Sequence, residues 1–293
     1  MTAPTTDGIR AAWDALAPGF DRYTTPHTME FGERLLDRAP VGPGTRFLDV
    51  AAGSGALALP AARRGAQVVA VDISPAMVER LAARAREEGL AQVRALTMDG
   101  ERLQLDDGTF DVSASLNGVS VFPDLPRGLS EMVRVTRPGG TVLVAAFARP
   151  QRAEFIAWTV RAIRAAVPGS APLPTDPPPL PFQVADPDRF AAVLRAAGLA
   201  EVTVRQAVLD TAFASAGELL DVVRHSHPVG AQWVTGLTAE QAADVRQILD
   251  GMLRERSGGA PGAVLHTDMN VGTGVVTPAS AEAPSPDRPA SHG

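Results

Sequence analysis

The sequence contains no cysteine and no lysine, and it has a single tyrosine. Without cysteine the chain forms no disulfide and offers no thiolate as a nucleophile or metal ligand. All 27 basic residues are arginines, which excludes a Schiff-base amine and an amine general base. Any proton abstraction therefore falls to histidine, tyrosine, a carboxylate or water.

Long apolar runs and basic clusters are also missing from the sequence. No run approaches the ~20 apolar residues of a membrane helix, and the N-terminus lacks the basic-then-apolar pattern of a signal peptide. The net charge is −6, whereas a protein that holds nucleic acid needs basic groups for the phosphates. We therefore expect a cytoplasmic protein that binds neither membrane nor nucleic acid and acts on a small molecule.

The most informative stretch is residues 45–75. An apolar run ending at Val50 leads into the small-residue loop 51–55, a helix-like segment follows, and a second apolar run ends at Asp72. This order predicts strand, loop, helix and strand. Glycines let a ligand approach the backbone, free N–H groups start the helix, and the acid can accept hydrogen bonds from ribose hydroxyls. The unit therefore predicts a nucleotide site.

The identity of the nucleotide depends on the residues around the loop. Residues 53–58 fit the G-x-G-x-x-G/A pattern of dinucleotide sites, so NAD is one candidate. Asp49, at the end of the first strand, favours a different ligand. We expect its carboxylate to repel a diphosphate and to suit a ligand with a cationic amino group and a sulfonium, such as S-adenosylmethionine.

Five ordered blocks of the sequence form a recognisable set: LDVAAGSG at 48–55, VVAVDISPAMVERLAARA at 68–85, MDGERL at 98–103, FDVSASLNGV at 110–119 and RVTRPGGTVLVAAF at 134–147. They resemble the class I S-adenosylmethionine-dependent methyltransferases, in particular the group similar to ubiquinone and menaquinone biosynthesis methyltransferases. The first motif of that family has the form LDVGCGTG, and this chain departs from it at Ala51, where glycine is common. The resemblance implies an α/β fold with a doubly wound, seven-stranded, mostly parallel Rossmann-like sheet.

The resemblance also implies where S-adenosylmethionine is bound. The glycine loop and its acid are expected at the methionine end, the acid of the second strand at the ribose, and the acid of the third strand at the adenine amino group. Packing alone would equally explain Tyr23 and Met77. The residues predicted to bind the cofactor are Tyr23, Asp49, Ala51, Gly53, Gly55, Asp72, Ile73, Met77, Asp99, Gly100 and Asn117.

Three histidines are the candidates for a catalytic base, since cysteine and lysine are absent: His27, His225 and His227. An acid near the acceptor is a further candidate. Two of the histidines belong to the sequence RHSHP at 224–228, which invites a metal interpretation. Residues two apart lie on different faces of a helix, and no acidic cluster accompanies them, so we expect no metal site.

The sequence also predicts how the chain is divided. A first helix over 7–16 should end at Pro18, and Thr28 should cap a second one. The prolines near residue 175 predict a loop that covers the acceptor. The predicted parts are an N-terminal helical cap at 1–42, a methyltransferase domain at 43–277 with an acceptor cover at 149–187 and a helical insertion at 215–257, and a disordered tail at 278–293.

The predicted activity is methyl transfer to O, C or N of a small-molecule acceptor, of the kind found in secondary metabolism, by a monomer or homodimer. Three alternatives stay open. The first is an enzyme of the same fold that binds S-adenosylmethionine but catalyses a cyclisation or rearrangement. The others are an NAD-dependent oxidoreductase and a non-enzymatic sensor of S-adenosylmethionine.

Overall fold

The computed structural model describes residues 5–170 and 178–277. The predicted disordered tail, and the centre of the predicted acceptor cover at 171–177, lie outside the described residues.

A seven-stranded sheet forms the centre of the fold and confirms the predicted architecture. Its strands are β1 Arg46–Val50, β2 Gln67–Asp72, β3 Val93–Thr97, β4 Phe110–Leu116, β5 Thr136–Phe147, β6 Leu199–Phe213 and β7 Ala263–Val276. The order in the sheet is β3-β2-β1-β4-β5-β7-β6, and β7 runs antiparallel to both of its neighbours. In β1 only Arg46 is exposed, because helices cover both faces of a largely parallel sheet.

Ten α-helices accompany the sheet in the described part of the chain. They are α1 Thr6–Gly19, α2 Thr25–Leu35, α3 Ala58–Arg63, α4 Pro75–Glu87, α5 Leu125–Val135, α6 Glu154–Ala166, α7 Pro187–Ala196, α8 Ala216–Ser226, α9 Pro228–Thr235 and α10 Ala239–Ser257. Buried side chains of α2, α3 and α4 share one core cluster with the sheet, whereas those of α5 and α7 share another. The sheet is therefore covered on both faces.

The N-terminal helices differ from the sequence prediction. Helix α1 continues through Pro18 to Gly19, a π-helical turn covers Phe20–Thr24, and α2 begins at Thr25 rather than at Thr28. In the π-helical turn the N–H of Thr25 bonds to the carbonyl of Phe20, five residues back. This wider turn joins the two helices without the break that Pro18 suggested, and such turns are frequent at functional sites.

Polar contacts fix these helices onto the central motif. One carboxylate oxygen of Asp14 accepts hydrogen bonds from the Ser74 hydroxyl (2.5 Å) and from the Ala76 N–H (3.2 Å) at the start of α4. The hydroxyls of Thr25 and Ser54 lie 2.5 Å apart and are both buried. The helices therefore cover the glycine loop.

The C-terminal half forms a third core cluster above one end of the sheet. Strands β6 and β7 form a long antiparallel ribbon that extends beyond β5 as far as the pair Phe213 and Ala263. Buried residues of α6, α8, α9 and α10 pack against this extension. Helix α9 begins at Pro228 and lies within the predicted helical insertion at 215–257.

Two glycines offer a matched test of the packing. A Cβ on Gly272 in β7 would lie 2.5 Å from Leu194 and 3.1 Å from Phe190, both in α7. We expect Gly272→Ala to lower the free energy of unfolding by ~1–3 kcal/mol through overpacking. Gly251 lies exposed in α10 with nothing within 4 Å of such a Cβ, so Gly251→Ala should raise it by ~0.5–1 kcal/mol.

Urea unfolding followed by circular dichroism measures both changes. Effects of the same sign in the two variants would contradict the packing described for α7.

Candidate active site

A cavity opens at the edge of the sheet where β1, β2, β4 and β5 end. Its walls come from the N-terminal helices, the loops after these strands, the far end of β6 and the helices above it. In largely parallel sheets, ligands bind at this edge near the switch in strand order. Helices and strands of both halves of the chain therefore enclose one site.

The glycine loop forms the floor of the cavity. Ala51 (φ 55°) and Gly53 (φ 53°) adopt left-handed backbone conformations and line it. A Cβ on Gly53 would lie 3.3 Å from the ring of Phe20, so the loop is closely covered. Gly55 (φ 107°) does not line the cavity; a Cβ there would lie 2.9 Å from Leu59, so its role is packing against α3.

Asp49 lies differently from the sequence prediction. Its side chain is 2% exposed and does not line the cavity, and one carboxylate oxygen accepts the N–H of Ala58 at 2.9 Å. The reason is that α3 begins at Ala58, beyond the glycines, so its first N–H turns back to the carboxylate. The carboxylate of Asp49 therefore already accepts the backbone N–H that a diphosphate would need as a donor.

Asp72, the predicted ribose ligand, lies in the cavity wall. Its two carboxylate oxygens accept the N–H groups of Gly53 (2.8 Å) and Ser74 (2.9 Å). Ile73 and Met77 line the cavity beside it. The carboxylate is therefore held rigidly, and each oxygen keeps a lone pair that could accept a ribose hydroxyl.

Burial changes the proton affinity of both acids. Burial raises the pKa of Asp49 to about 7, and the nearby negative charge of Asp72 adds to this rise. Burial also raises the pKa of Asp72 to about 6, with a contribution from Asp14. Buried carboxylates of this kind are stabilised by a cation in the adjoining cavity.

The next strand supplies a third acid. Asp99 lines the cavity after β3, and its side chain accepts the N–H of Glu101 at 2.9 Å. Gly100 also lines the cavity, but a Cβ there would lie 2.4 Å from the ring of Phe122. The glycine therefore makes room for Phe122, which the sequence analysis did not include among the cofactor contacts.

Asn117 follows β4 and faces the glycine loop across the cavity. It adopts φ 58°, and its side-chain oxygen is buried without a hydrogen-bond partner in the described structure. The neighbouring Gly118 is in close contact with Ala51, since a Cβ on Gly118 would lie 2.5 Å from that of Ala51. The hydroxyl of Thr24, also in the cavity wall, is likewise buried and unpartnered. Both oxygens can receive a ligand's donor.

Besides Asp49 and Gly55, two further predicted site residues do not line the cavity. The rings of Tyr23 and His225 stack on each other with centroids 5.2 Å apart and an angle of 18°. His225 also fills the space beside Gly19, where a Cβ would lie 2.0 Å from its ring. Their role is therefore to pack α8 against the N-terminal helices. The sequence gives no sign of this contact, because some 200 residues separate the partners.

The other two histidines do line the cavity. His27, in the first turn of α2, is half-buried, with its ring centroid 6.2 Å from that of Phe213. His227 caps α9, and its Nδ1 accepts the N–H of Val229 at 3.1 Å. Burial lowers the pKa of His227 to about 4. His227 is therefore neutral near pH 7.

The end of the cavity beneath β6 and the helices α6, α8 and α9 is apolar, and we call it the apolar chamber. Its walls include the side chains of Phe147, Phe155, Phe182, Leu209, Phe213 and Trp233. The hydroxyl-bearing Thr211 lies among them. Among the described lining residues there is no arginine, and the chain has no lysine. This end therefore has no cation to bind a carboxylate or phosphate.

The described residues include no group of three or more histidine and acidic side chains that could hold a metal ion. Within the same ranges, the helices are all too short or too polar to cross a bilayer.

Residues 48–144 match the family described as "Methyltransferase domain". The chain is 33% identical to the nocamycin O-methyltransferase of Saccharothrix syringae over 235 residues, which cover 77% of this chain and 81% of that protein. It is 39% identical to the demethylmenaquinone methyltransferase of Beutenbergia cavernae over 142 residues, or 48% of this chain and 54% of that protein. The chain therefore belongs to the S-adenosylmethionine-dependent methyltransferase family.

The match to other relatives is partial. An uncharacterized protein of Mycobacterium tuberculosis is 43% identical over 111 residues, which cover 38% of this chain and 40% of that protein. The alignment thus spans about two fifths of the length of the mycobacterial relatives.

Solved structures share the fold at low sequence identity. The [4+2]-cyclase SpnF is 18% identical, with a TM-score of 0.61 over 95% of this chain and 98% of that one. The YcgJ protein from Bacillus subtilis is 19% identical, with a TM-score of 0.56 over 86% of this chain and 99% of that one. Since one of these folds belongs to a cyclase, the fold alone does not fix the chemistry.

Replacement of Asp49 by Asn tests the buried carboxyl. In the folded protein the pKa of Asp49 is about 7, above the ordinary value of 3.8 expected for the unfolded chain. The folded form therefore binds the proton of Asp49 more tightly than the unfolded form does. The contribution of Asp49 to stability should therefore fall as the pH rises from about 4 to about 7. We expect the free energy of unfolding of the wild type, relative to Asp49→Asn, to decrease across this window.

Urea unfolding at several pH values measures this difference. Parallel curves for the wild type and Asp49→Asn would show that the carboxyl does not titrate there.

Proposed function

We propose that the chain transfers a methyl group from S-adenosylmethionine to an oxygen atom of a small, uncharged and largely apolar acceptor. The observation that carries the proposal is the pair of carboxylates around the glycine loop. Asp49 takes the first N–H of α3, while Asp72 lies in the cavity wall, held by two backbone N–H groups. A cationic nucleoside suits this arrangement, and a diphosphate does not.

The residues in the cavity fit the parts of S-adenosylmethionine. Asp72 would accept the ribose hydroxyls, and Asp99 would accept the adenine amino group. Ile73 and Met77 would pack against the adenine ring. The unpartnered oxygen of Asn117 would accept the ammonium of the methionine part, which explains why a buried acceptor there has no partner within the protein.

The same residues argue against a dinucleotide. Diphosphates bind at the start of a helix through free backbone N–H groups, and here the first N–H of α3 is already bonded to Asp49. The diphosphate would also lie beside two buried carboxylates, Asp49 and Asp72. NAD is therefore the weaker candidate.

The character of the acceptor follows from the other end of the cavity. Its walls are aromatic and aliphatic and, among the described residues, carry no arginine, so an acceptor with a carboxylate or phosphate would be desolvated without a counter-charge. An oxygen nucleophile is favoured because the relative that aligns over 81% of its own length is an O-methyltransferase. The presence of this apolar chamber beside the proposed cofactor site also favours an enzyme over a sensor of S-adenosylmethionine.

Methyl transfer from a sulfonium is a displacement in line with the sulfur–carbon bond. S-adenosylmethionine supplies the activated methyl group when bound. The protein must hold the acceptor oxygen opposite that bond and exclude water, and such orientation contributes ~7–11 kcal/mol to lowering a barrier. The buried apolar walls and the overlying helices would serve both purposes.

Titration calorimetry tests the cofactor assignment. We expect S-adenosylmethionine and S-adenosylhomocysteine to bind saturably and NAD not to bind. Asp72→Asn should weaken both by ~10–100-fold, because hydrogen bonds to a charged acceptor contribute ~1.5–3 kcal/mol. Glu79→Gln, an exposed change in α4, is the control and should bind as the wild type does. Saturable NAD binding without S-adenosylmethionine binding would overturn the proposal.

A pair of matched acceptors tests the acceptor class. We expect 4-propylphenol to give S-adenosylhomocysteine and a methyl ether with a kcat/KM at least ~10-fold above that of 4-hydroxyphenylpropionate, whose carboxylate has no partner in the apolar chamber. Mass spectrometry detects both products. An equal or better rate with the carboxylate would show that the acceptor site contains a cation.

A further inference from the structure

Transfer to a hydroxyl oxygen requires that its proton be removed. Resting on the function proposed above, we propose that His27 is the general base that takes this proton, and that His227 serves the acceptor only as a hydrogen-bond donor. The inference is carried by what each ionisable side chain in the cavity wall already bonds to. Among the described residues these side chains are His27, Asp72, Asp99, Glu101 and His227.

The three acids lie at the wrong end of the cavity. Asp72 ends β2, and Asp99 and Glu101 follow β3, at one edge of the sheet, whereas the apolar chamber lies under β5, β7 and β6 at the other. Neighbouring strands are ~4.8 Å apart, so β3 and β5 are separated by ~19 Å. Each acid also accepts a backbone N–H, that of Glu101 coming from Asp124 at 2.8 Å. They serve the nucleoside end.

His227 cannot accept a proton in the arrangement seen here. A neutral imidazole has one nitrogen lone pair, and that of His227 Nδ1 accepts the N–H of Val229. The proton of the ring is therefore on Nε2. Burial holds the pKa of this ring at about 4, so a second proton is disfavoured near neutral pH. His227 can donate a hydrogen bond to an acceptor oxygen but cannot take its proton.

His27 remains. Its ring is half-buried in the cavity wall, next to Phe213 at the end of β6, and it makes no hydrogen bond to any described residue. The hydroxyl contact between Thr25 and Ser54 ties the same helix turn to the glycine loop. His27 therefore lies between the expected methionine end and the apolar chamber, with a free nitrogen. The only tyrosine, Tyr23, stacks on His225 outside the cavity.

The proposed step is balanced without any further reactant. The hydroxyl proton of the acceptor passes to a ring nitrogen of His27. The oxygen forms a bond to the methyl carbon as the carbon–sulfur bond breaks, and the electron pair of that bond stays on sulfur, giving S-adenosylhomocysteine and the methyl ether. The imidazolium of His27 then releases its proton to solvent.

Two phenols of different acidity distinguish a base from a residue that only positions the acceptor. At a pH of about 8, 4-nitrophenol is largely ionised, whereas 4-propylphenol keeps its proton. With saturating S-adenosylmethionine, we expect His27→Gln to lower kcat by ~100–10,000-fold for 4-propylphenol and by less than ~10-fold for 4-nitrophenol. Imidazole added to His27→Ala should restore part of the activity towards 4-propylphenol.

Two matched variants complete the design. His227→Gln keeps a donor, so its effect should be the same for both phenols. His266→Gln changes an exposed residue of β7 that does not line the cavity, and it should behave as the wild type. The affinity of His27→Gln for S-adenosylmethionine, measured by calorimetry, should be unchanged and reports that the site is intact.

The outcomes separate the two proposals. A wild-type protein that forms no S-adenosylhomocysteine with any phenol contradicts the proposed acceptor class, and the role of His27 falls with it. If the wild type is active, equal losses for the two phenols, no loss at all, or failure of imidazole to rescue His27→Ala would overturn the assignment of His27 as the base.

Discussion

The hydrogen bond between the N–H of Ala58 and the carboxylate of Asp49 determines what the site can hold. Helix starts ordinarily attract anions because their N–H groups are free. Here the chain supplies its own negative charge to the start of α3, in a position that is almost completely buried. The glycine loop thus keeps its close backbone approach but loses its attraction for phosphate. With Asp72 beside it, the loop adjoins two carboxyl groups rather than free N–H donors, which suits the sulfonium nucleoside proposed above.

The cavity therefore has two ends that would recognise their ligands through different interactions. The end proposed to hold the nucleoside has acids whose oxygens accept backbone N–H groups, so their positions are fixed before any ligand arrives. The end proposed to hold the acceptor has aromatic walls and few polar groups, among them His27 and Thr211. Hydrogen bonds therefore determine recognition at one end, and shape and desolvation determine it at the other. A hydroxyl that loses its proton in such surroundings needs a nearby base, because the medium itself stabilises an alkoxide poorly.

Local sequence patterns were sufficient for the elements that short-range chemistry controls. The alternation of apolar runs and turns located β1 and β2, and the acid at the end of the second strand is Asp72, which lies in the cavity wall. Asp99, also in the cavity wall, came from the family resemblance. The direction of Asp49 was not predictable, because it depends on α3 starting at Ala58 and not at the glycines. The stacking of Tyr23 on His225 could not be predicted from the sequence either. It joins residues far apart in the chain, so no periodicity in either segment records it.

The N-terminal helices contact both the turn after β2 and the helices of the C-terminal half. Trp13 meets the ring of His227 edge-on, with centroids 5.5 Å apart, while Asp14 bonds to Ser74 and the turn after it. The contact with Ser74 can therefore form early, whereas the contact with His227 forms only after more than 200 further residues have emerged. Since closing so long a loop costs entropy that only late contacts repay, the contact with His227 is expected to form last, and in an unfinished chain the cavity would be open on the side of α9.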